Sequence, residues 1–200
     1  MSSKKTKTLL VWDVDDVLNI LTRHYLEYGL PENARRIPYD DLAENPPHRL
    51  LGLSKEEYLV SLDRVRAGDF YDLPPRPEVT AFFAAYGSCF DHVVLSAVPL
   101  RFMEKSSAWV LHHFGDWIQS CFFIPSQRPD RSVKSQLFSS KSEAVNFFGP
   151  RAVLIDDSVK NVEETLSSGG RALYFPAPWN PAKNTGINDF FISLKGLSNE

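Results

Sequence analysis

The sequence predicts an α/β fold: a Rossmann-like parallel sheet flanked by helices, with a small helical cap inserted after the first strand. Three observations predict it. Residues 8–13 form an apolar, β-prone run that ends abruptly in Asp13-Val14-Asp15-Asp16. Continuous apolar runs of this kind are strands buried on both faces, as in parallel sheets. Ala152-Val153-Leu154-Ile155 repeats the pattern and stops at paired acids, Asp156-Asp157. Around these runs, helical stretches alternate with further strand-like stretches, the mark of crossover helices.

The elements follow in order. The first strand covers residues 8–13, and the next comes only at 92–96. Between them, residues 18–77 break the alternation with helical pieces at 18–28, 39–44 and 54–67. Ser54 can cap the last of these, with Glu56 and Glu57 in its first turn. Pro46-Pro47 and Pro74-Pro75-Arg76-Pro77 punctuate the stretch. Roughly sixty residues is too long for a plain crossover. Residues 18–77 are therefore expected to form the cap, and 1–17 with 78–200 the core.

After the second strand comes a helix at 103–114, with Met103, Ser107, Val110, Leu111 and Phe114 on one side. A strand at 121–124 follows. The helix at 141–148 is capped by Ser139-Ser140 and stopped by Gly149-Pro150. The strand at 152–156 leads through Ser158 into a helix at 159–168 that ends at Gly169-Gly170, and a strand at 172–175 closes the set. The Pro- and Asn-rich tail is a loop, with a short terminal element at 190–194.

Composition narrows the function classes. The 200 residues carry a net charge of −3, which gives no general drive toward a nucleic acid polymer or an anionic membrane. Cys89 and Cys121 make neither a disulfide framework nor a zinc site. Both lie near apolar runs and are expected to be small core residues. No apolar run reaches membrane-spanning length. The basic Met1-Ser2-Ser3-Lys4-Lys5 start has no apolar signal region behind it. A reduced, cytoplasmic setting is expected. The five histidines show no metal-ligand spacing, and the oligomeric state cannot be read.

Four features fit one site. Asp13 and Asp15 start on one face of the first strand's end. Val93-Val94-Leu95-Ser96 is a strand ending in a hydroxyl, Lys141 opens a helix, and Asp156-Asp157 end another buried strand. In a parallel sheet every carboxyl end faces one edge, where ligand crevices form. Unpaired buried carboxylates are costly, so such a cluster implies a cation or a shared proton. Mg²⁺ wants hard oxygen ligands, and Asp13, Asp156 and Asp157 can supply them. With metal and lysine lowering the local repulsion, one carboxylate can attack phosphorus. A second acid two residues on can protonate the leaving oxygen and then activate water. Ser96 and Lys141 can hold the phosphoryl group. Lys134 is the rival lysine and Lys105 a distant one. Asn161 can act in the site or simply cap its helix.

These residues resemble the motifs of the haloacid dehalogenase-like hydrolase superfamily. Its Asp-x-Asp-x-(Val/Thr) motif stands here as Asp13-Val14-Asp15-Asp16-Val17, its hydroxyl-ended strand as residues 93–96, and its acid pair as Asp156-Asp157 with Asn161 trailing. The resemblance implies Asp13 as nucleophile and Asp15 as general acid/base. It implies Mg²⁺ on the Asp13 carboxylate, the Asp15 carbonyl and the acid pair. An acid at Asp15 points to the phosphatase branch, while Asp16 has no counterpart. A looser likeness is to the 5′(3′)-deoxyribonucleotidase group, carried by residues 68–77, by Ser96-Ala97-Val98-Pro99-Leu100 and by the 105–114 helix with Trp109. The expectation is a phosphomonoester hydrolase acting on a nucleotide or another small phosphorylated metabolite. The alternatives are a phosphotransferase, a phosphonate-type hydrolase or a non-catalytic scaffold of the same fold. Residues Arg23, His24, Tyr25, Arg64 and Arg66 of the cap could read a substrate, but charged helix faces are usually only solvated.

Overall fold

The computed structural model describes residues 6–68, 72–124, 126 and 137–199. Its centre is β1 (Leu9–Trp12), all four residues buried. Around it lie β2 (Asp91–Ser96), β3 (Cys121–Phe123), β4 (Ala152–Asp156) and β5 (Arg171–Tyr174). They make one sheet in the order β3-β2-β1-β4-β5. Every pairing is parallel. The chain therefore runs outward from β1 on one side, then crosses back to β4 on the other. That reversal puts a crevice at the carboxyl end of β1.

Alternation along the strands builds two cores. Leu10, Trp12, Val94, Val153 and Ile155 face one side, with helices α3 (Pro77–Tyr86), α4 (Met103–Phe114) and α7 (Ile187–Gly196) over it. Leu9, Val11, Leu95, Ala152 and Leu154 face the other, under α5 (Lys141–Phe148). The crossover to β5 is α6 (Val159–Ser167). Trp12 fills the centre of the larger core. It packs on Phe83 at 5.2 Å and donates its indole N–H to His92 Nδ1 at 3.1 Å. An indole only donates, so His92 Nδ1 accepts and its Nε2–H donates to the Gly87 carbonyl at 2.8 Å. Burial pushes the His92 pKa down to about 4.

Local signals explain the caps. Ser140 and Ser158 accept from the backbone of Glu143 and Asn161. In α2 (Lys55–Ala67), Ser54 and Glu57 form a reciprocal capping box. Gly149 and Gly169 end their helices at φ 89° and 86°, a conformation that suits glycine.

The structure departs from the sequence reading in five places. The helix expected at 18–28 is shorter: α1 (Leu21–His24) continues only as a π-helical turn over Tyr25–Gly29. Asp16, at φ 63°, and Asn19 hold the chain in a tight turn first. Asn19 Oδ1 accepts from the Asp16 and Leu21 amides, and the Asp16 carboxylate accepts from the Thr22 amide and hydroxyl. Asp16 is thus a local cap, buried among these donors. The piece at 39–44 shrinks to a 3-10 turn, Tyr39–Asp41. The sequence reading missed α3, although Pro77 at its first turn and the Val79, Phe82, Phe83 spacing both signal a helix. Cys89 is exposed, because it lies in the turn before β2 rather than in the strand. In α4 the buried side is Ser106, Trp109, Val110 and Phe114, which leaves Leu111 exposed.

Candidate active site

The alternation that builds the two cores also sorts the acids. Asp13 still pairs with the sheet, its amide donating to the Ile155 carbonyl at 3.0 Å. It follows Val11 by two residues, and Asp156 follows Leu154 by two. Both therefore point to the α5 side. Lys141, the first residue of α5, meets them there, with Nζ 2.7 Å from Asp13 Oδ1 and 2.7 Å from Asp156 Oδ2. Asp157 follows Ile155 and falls on the other side. Its Oδ2 accepts the Trp179 indole N–H at 3.0 Å and the Asn45 amide at 3.1 Å.

Asp13, Asp15, Ser96, Lys141, Asp157 and Asn161 line one cavity of about 180 Å³. Asp156 lies beneath it, fully buried. Its carboxylate accepts from Lys141, the Ser158 amide and both approaches of Asn161 Nδ2, at 3.2 and 3.1 Å. Asn161 thus binds Asp156 as well as lying in its helix's first turn. Lys134 lies outside the described residues, and Lys105 bonds the Ala67 carbonyl, away from the acids. A larger cleft of about 980 Å³ runs alongside, past Tyr39, Arg76 and Trp179, and holds none of the strand-end acids.

Burial and crowding set the electrostatics. Burial raises the Asp13 pKa to about 7, with Lys141 opposing and Asp156 adding to the rise. Burial and then the Asp156 charge hold Asp157 well above the usual carboxylate range. Burial works against the Lys141 ammonium, but the Asp13 and Asp156 carboxylates outweigh it and raise its pKa. One ammonium does not neutralise three carboxylates. Oxygens of Asp13, Asp156 and Asp157 lie within 4.8 Å of one another. Three hard, anionic donors at that spacing, beside a cavity, fit a small divalent cation.

Four contributors were not legible as such in the sequence. Arg66, from α2, reaches Asp15 Oδ2 at 2.5 Å and is 8% exposed. It extends through Asp63, at 3.4 Å, to Arg101, whose guanidinium lies 2.6 Å from the same Asp63 carboxylate. Asn19 Nδ2 is 3.3 Å from the other Asp15 oxygen. Asn45 and Trp179 sit in loops, where no periodic pattern marks them. Of the other cap residues, Tyr25 is buried against Ser61, and Arg23 lines the larger cleft.

Solved structures with the same architecture cover most of the chain. A haloacid dehalogenase-like protein from Agrobacterium tumefaciens superposes with a TM-score of 0.59 at 14% identity, covering 97% of this chain and 100% of that one. A predicted phosphatase from Clostridium acetobutylicum gives 0.58 at 13% identity, over 94% and 98%. The chain has the haloacid dehalogenase-like fold. Protein tyrosine kinase A from Mycobacterium tuberculosis shares it too, at a TM-score of 0.54 and 17% identity, over 85% and 84%. No family model and no curated protein matches the sequence. At these identities the likeness establishes the haloacid dehalogenase-like fold alone. No described helix is long and apolar enough to cross a membrane.

Proposed function

We propose that this haloacid dehalogenase-like chain is a Mg²⁺-dependent phosphomonoester hydrolase that works through an aspartyl-phosphate at Asp13. One observation carries the reading: Lys141 bridges Asp13 and Asp156 at 2.7 Å each, with Asp157 completing a tight oxygen cluster and Asp15 on the same cavity. Asp13, Asp156 and Asp157 would hold the ion, which would supply charge neutralisation for carboxylate and phosphate together.

The chain's own residues do the rest. Lys141 fixes the Asp13 carboxylate, while the Ser96 hydroxyl and Lys141 hold the phosphoryl oxygens. An Asp13 oxygen forms a bond to phosphorus as the ester P–O bond breaks. Asp15 gives its proton to the leaving oxygen. It then takes a proton from water as that water attacks phosphorus and frees Asp13. Arg66 and Asn19 orient Asp15 from either side.

Residues 18–77 act as the cap, contributing Tyr58, Leu62 and Arg66 to the cavity wall. The cavity of about 180 Å³ suits a small phosphorylated metabolite. A nucleotide would have to extend past Asn45 and Ser158, which the cavity shares with a neighbouring cleft of about 590 Å³.

The test is phosphate release from a panel of phosphomonoesters, nucleoside monophosphates included, with Mg²⁺ and with EDTA. Wild type and Asp13→Asn are compared. Activity that needs both Mg²⁺ and Asp13 supports the reading. Equal release by Asp13→Asn rejects it.

Phosphoryl transfer to an alcohol is the second reading, favoured by the kinase that shares the fold. The same Asp13 chemistry would then deliver phosphorus to a hydroxyl instead of water. Product analysis with an added alcohol decides, since transfer faster than hydrolysis would select it.

A further inference from the structure

Asp156 and Asp157 are partnered very differently. Both oxygens of Asp156 are engaged, by Lys141, Asn161 and the Ser158 amide. Asp157 takes both of its side-chain donors on Oδ2, the Trp179 indole at 3.0 Å and the Asn45 amide at 3.1 Å. Among the described residues no donor meets its Oδ1. Asn180 anchors the same residue from behind, donating to the Asp157 carbonyl at 3.0 Å and the Phe175 carbonyl at 2.8 Å. The Asp157 carboxylate is therefore pinned by one oxygen, with the other left for the cluster.

Resting on the metal reading above, we propose that Asn45 and Trp179 are positioning residues for the ion, fixing Asp157 Oδ2 so that Oδ1 serves as a ligand. The donor chemistry suits this. An amide and an indole orient a carboxylate without cancelling its charge, whereas a lysine or arginine there would compete with the ion. Groups that hold a metal's ligands typically change affinity about 10–100-fold when removed. The two donors also come from separate parts of the chain. Asn45 lies between α1 and α2, and Trp179 in the loop after β5. The ion thus ties both loops to the sheet edge. By reciprocity, whatever loosens the Asn45 contact must loosen the ion.

Calorimetric titration with MgCl₂ on wild type, Asn45→Ala and Trp179→Phe tests this. Asn45 is exposed, so its loss leaves the fold intact. Phenylalanine at 179 keeps a ring against Tyr39, 5.6 Å away, and removes the N–H. Thermal unfolding in EDTA serves as the control for a purely structural effect. The expected result is Mg²⁺ affinity about 10–100-fold weaker in each variant, with the EDTA midpoint of Asn45→Ala unmoved. Unchanged affinity in Asn45→Ala overturns the positioning role and leaves the metal reading standing. A folded wild type that takes up no Mg²⁺ overturns both. Should Trp179→Phe fail to fold, Asn45→Ala alone decides.

Discussion

Asp156 and Asp157 are neighbours in the chain yet serve opposite sides of the sheet edge. Asp156 turns to Lys141 at 2.7 Å, and Asp157 turns to Trp179 at 3.0 Å. The two-residue period of β4 forces the split. It lets one acid pair be held from α5 on one side and from the C-terminal loop on the other. Several consequences can be measured.

Asp13→Asn should remove at least about 1000-fold of any phosphatase activity, as loss of a nucleophile does. Its stability should not fall, because the asparagine removes a charge that burial already disfavours, as the pKa of about 7 records. Urea denaturation beside the activity assay checks both halves. A variant that loses activity only because it unfolds would contradict this.

Lys141→Met should destabilise the fold by about 3–5 kcal/mol, because it strands two buried carboxylates. The sign of its pH dependence is fixed. Without the ammonium, the folded state binds a proton on Asp13 more readily than the unfolded chain does, because burial already raises that carboxyl. The variant should therefore recover stability as pH falls. Denaturation at pH 8 and pH 5.5 reads this, and a loss that is the same at both would contradict it.

Arg66→Met should lower turnover by roughly 10–100-fold while leaving Mg²⁺ affinity near wild type. Arg66 orients Asp15 and touches none of the three cluster acids. Steady-state kinetics and calorimetry together check it. A fall in metal affinity of the same size would place Arg66 in the metal's support instead.

His92 carries a pH effect of its own. Its folded pKa, about 4, lies below the unfolded value of 6.5. The stability it contributes is therefore complete above the unfolded value and is lost as pH falls toward the folded one. The loss is on the order of 2 kcal/mol. Asp13 and Asp16, with raised pKa values, work in the opposite direction. The measurement is therefore the difference between wild type and His92→Gln, each denatured at pH 7.5 and pH 4.5. The variant should lose less on acidification, and an equal loss would contradict the assignment.

The legible parts of the molecule were those written in local pattern. Asp13, Ser96 and Asp156 each end a buried strand, and Lys141 starts a capped helix, so topology alone gathers them at one edge. Asn45 and Trp179 escaped, and Arg66 stood out only as one of several cap residues that could read a substrate. Two lie in loops, where position depends on packing rather than period. The third sits on α2, whose charged face gives no sign that one arginine is buried. Asp16 has no counterpart in the motif it interrupts, and its bonds to Thr22 identify it as a cap. The helix expected from residue 18 lost its first turn to that same Asp16–Asn19 structure. Pro77 and the spacing after it did signal α3, but the proline-rich run before it masked the start.

The most direct measurement is to quench a turnover reaction in acid, reduce any acyl-phosphate with borohydride and sequence the peptides by mass spectrometry. The account predicts homoserine at position 13, dependent on substrate and Mg²⁺. Phosphate release with no reduction at Asp13, or with reduction at another carboxylate, would contradict it.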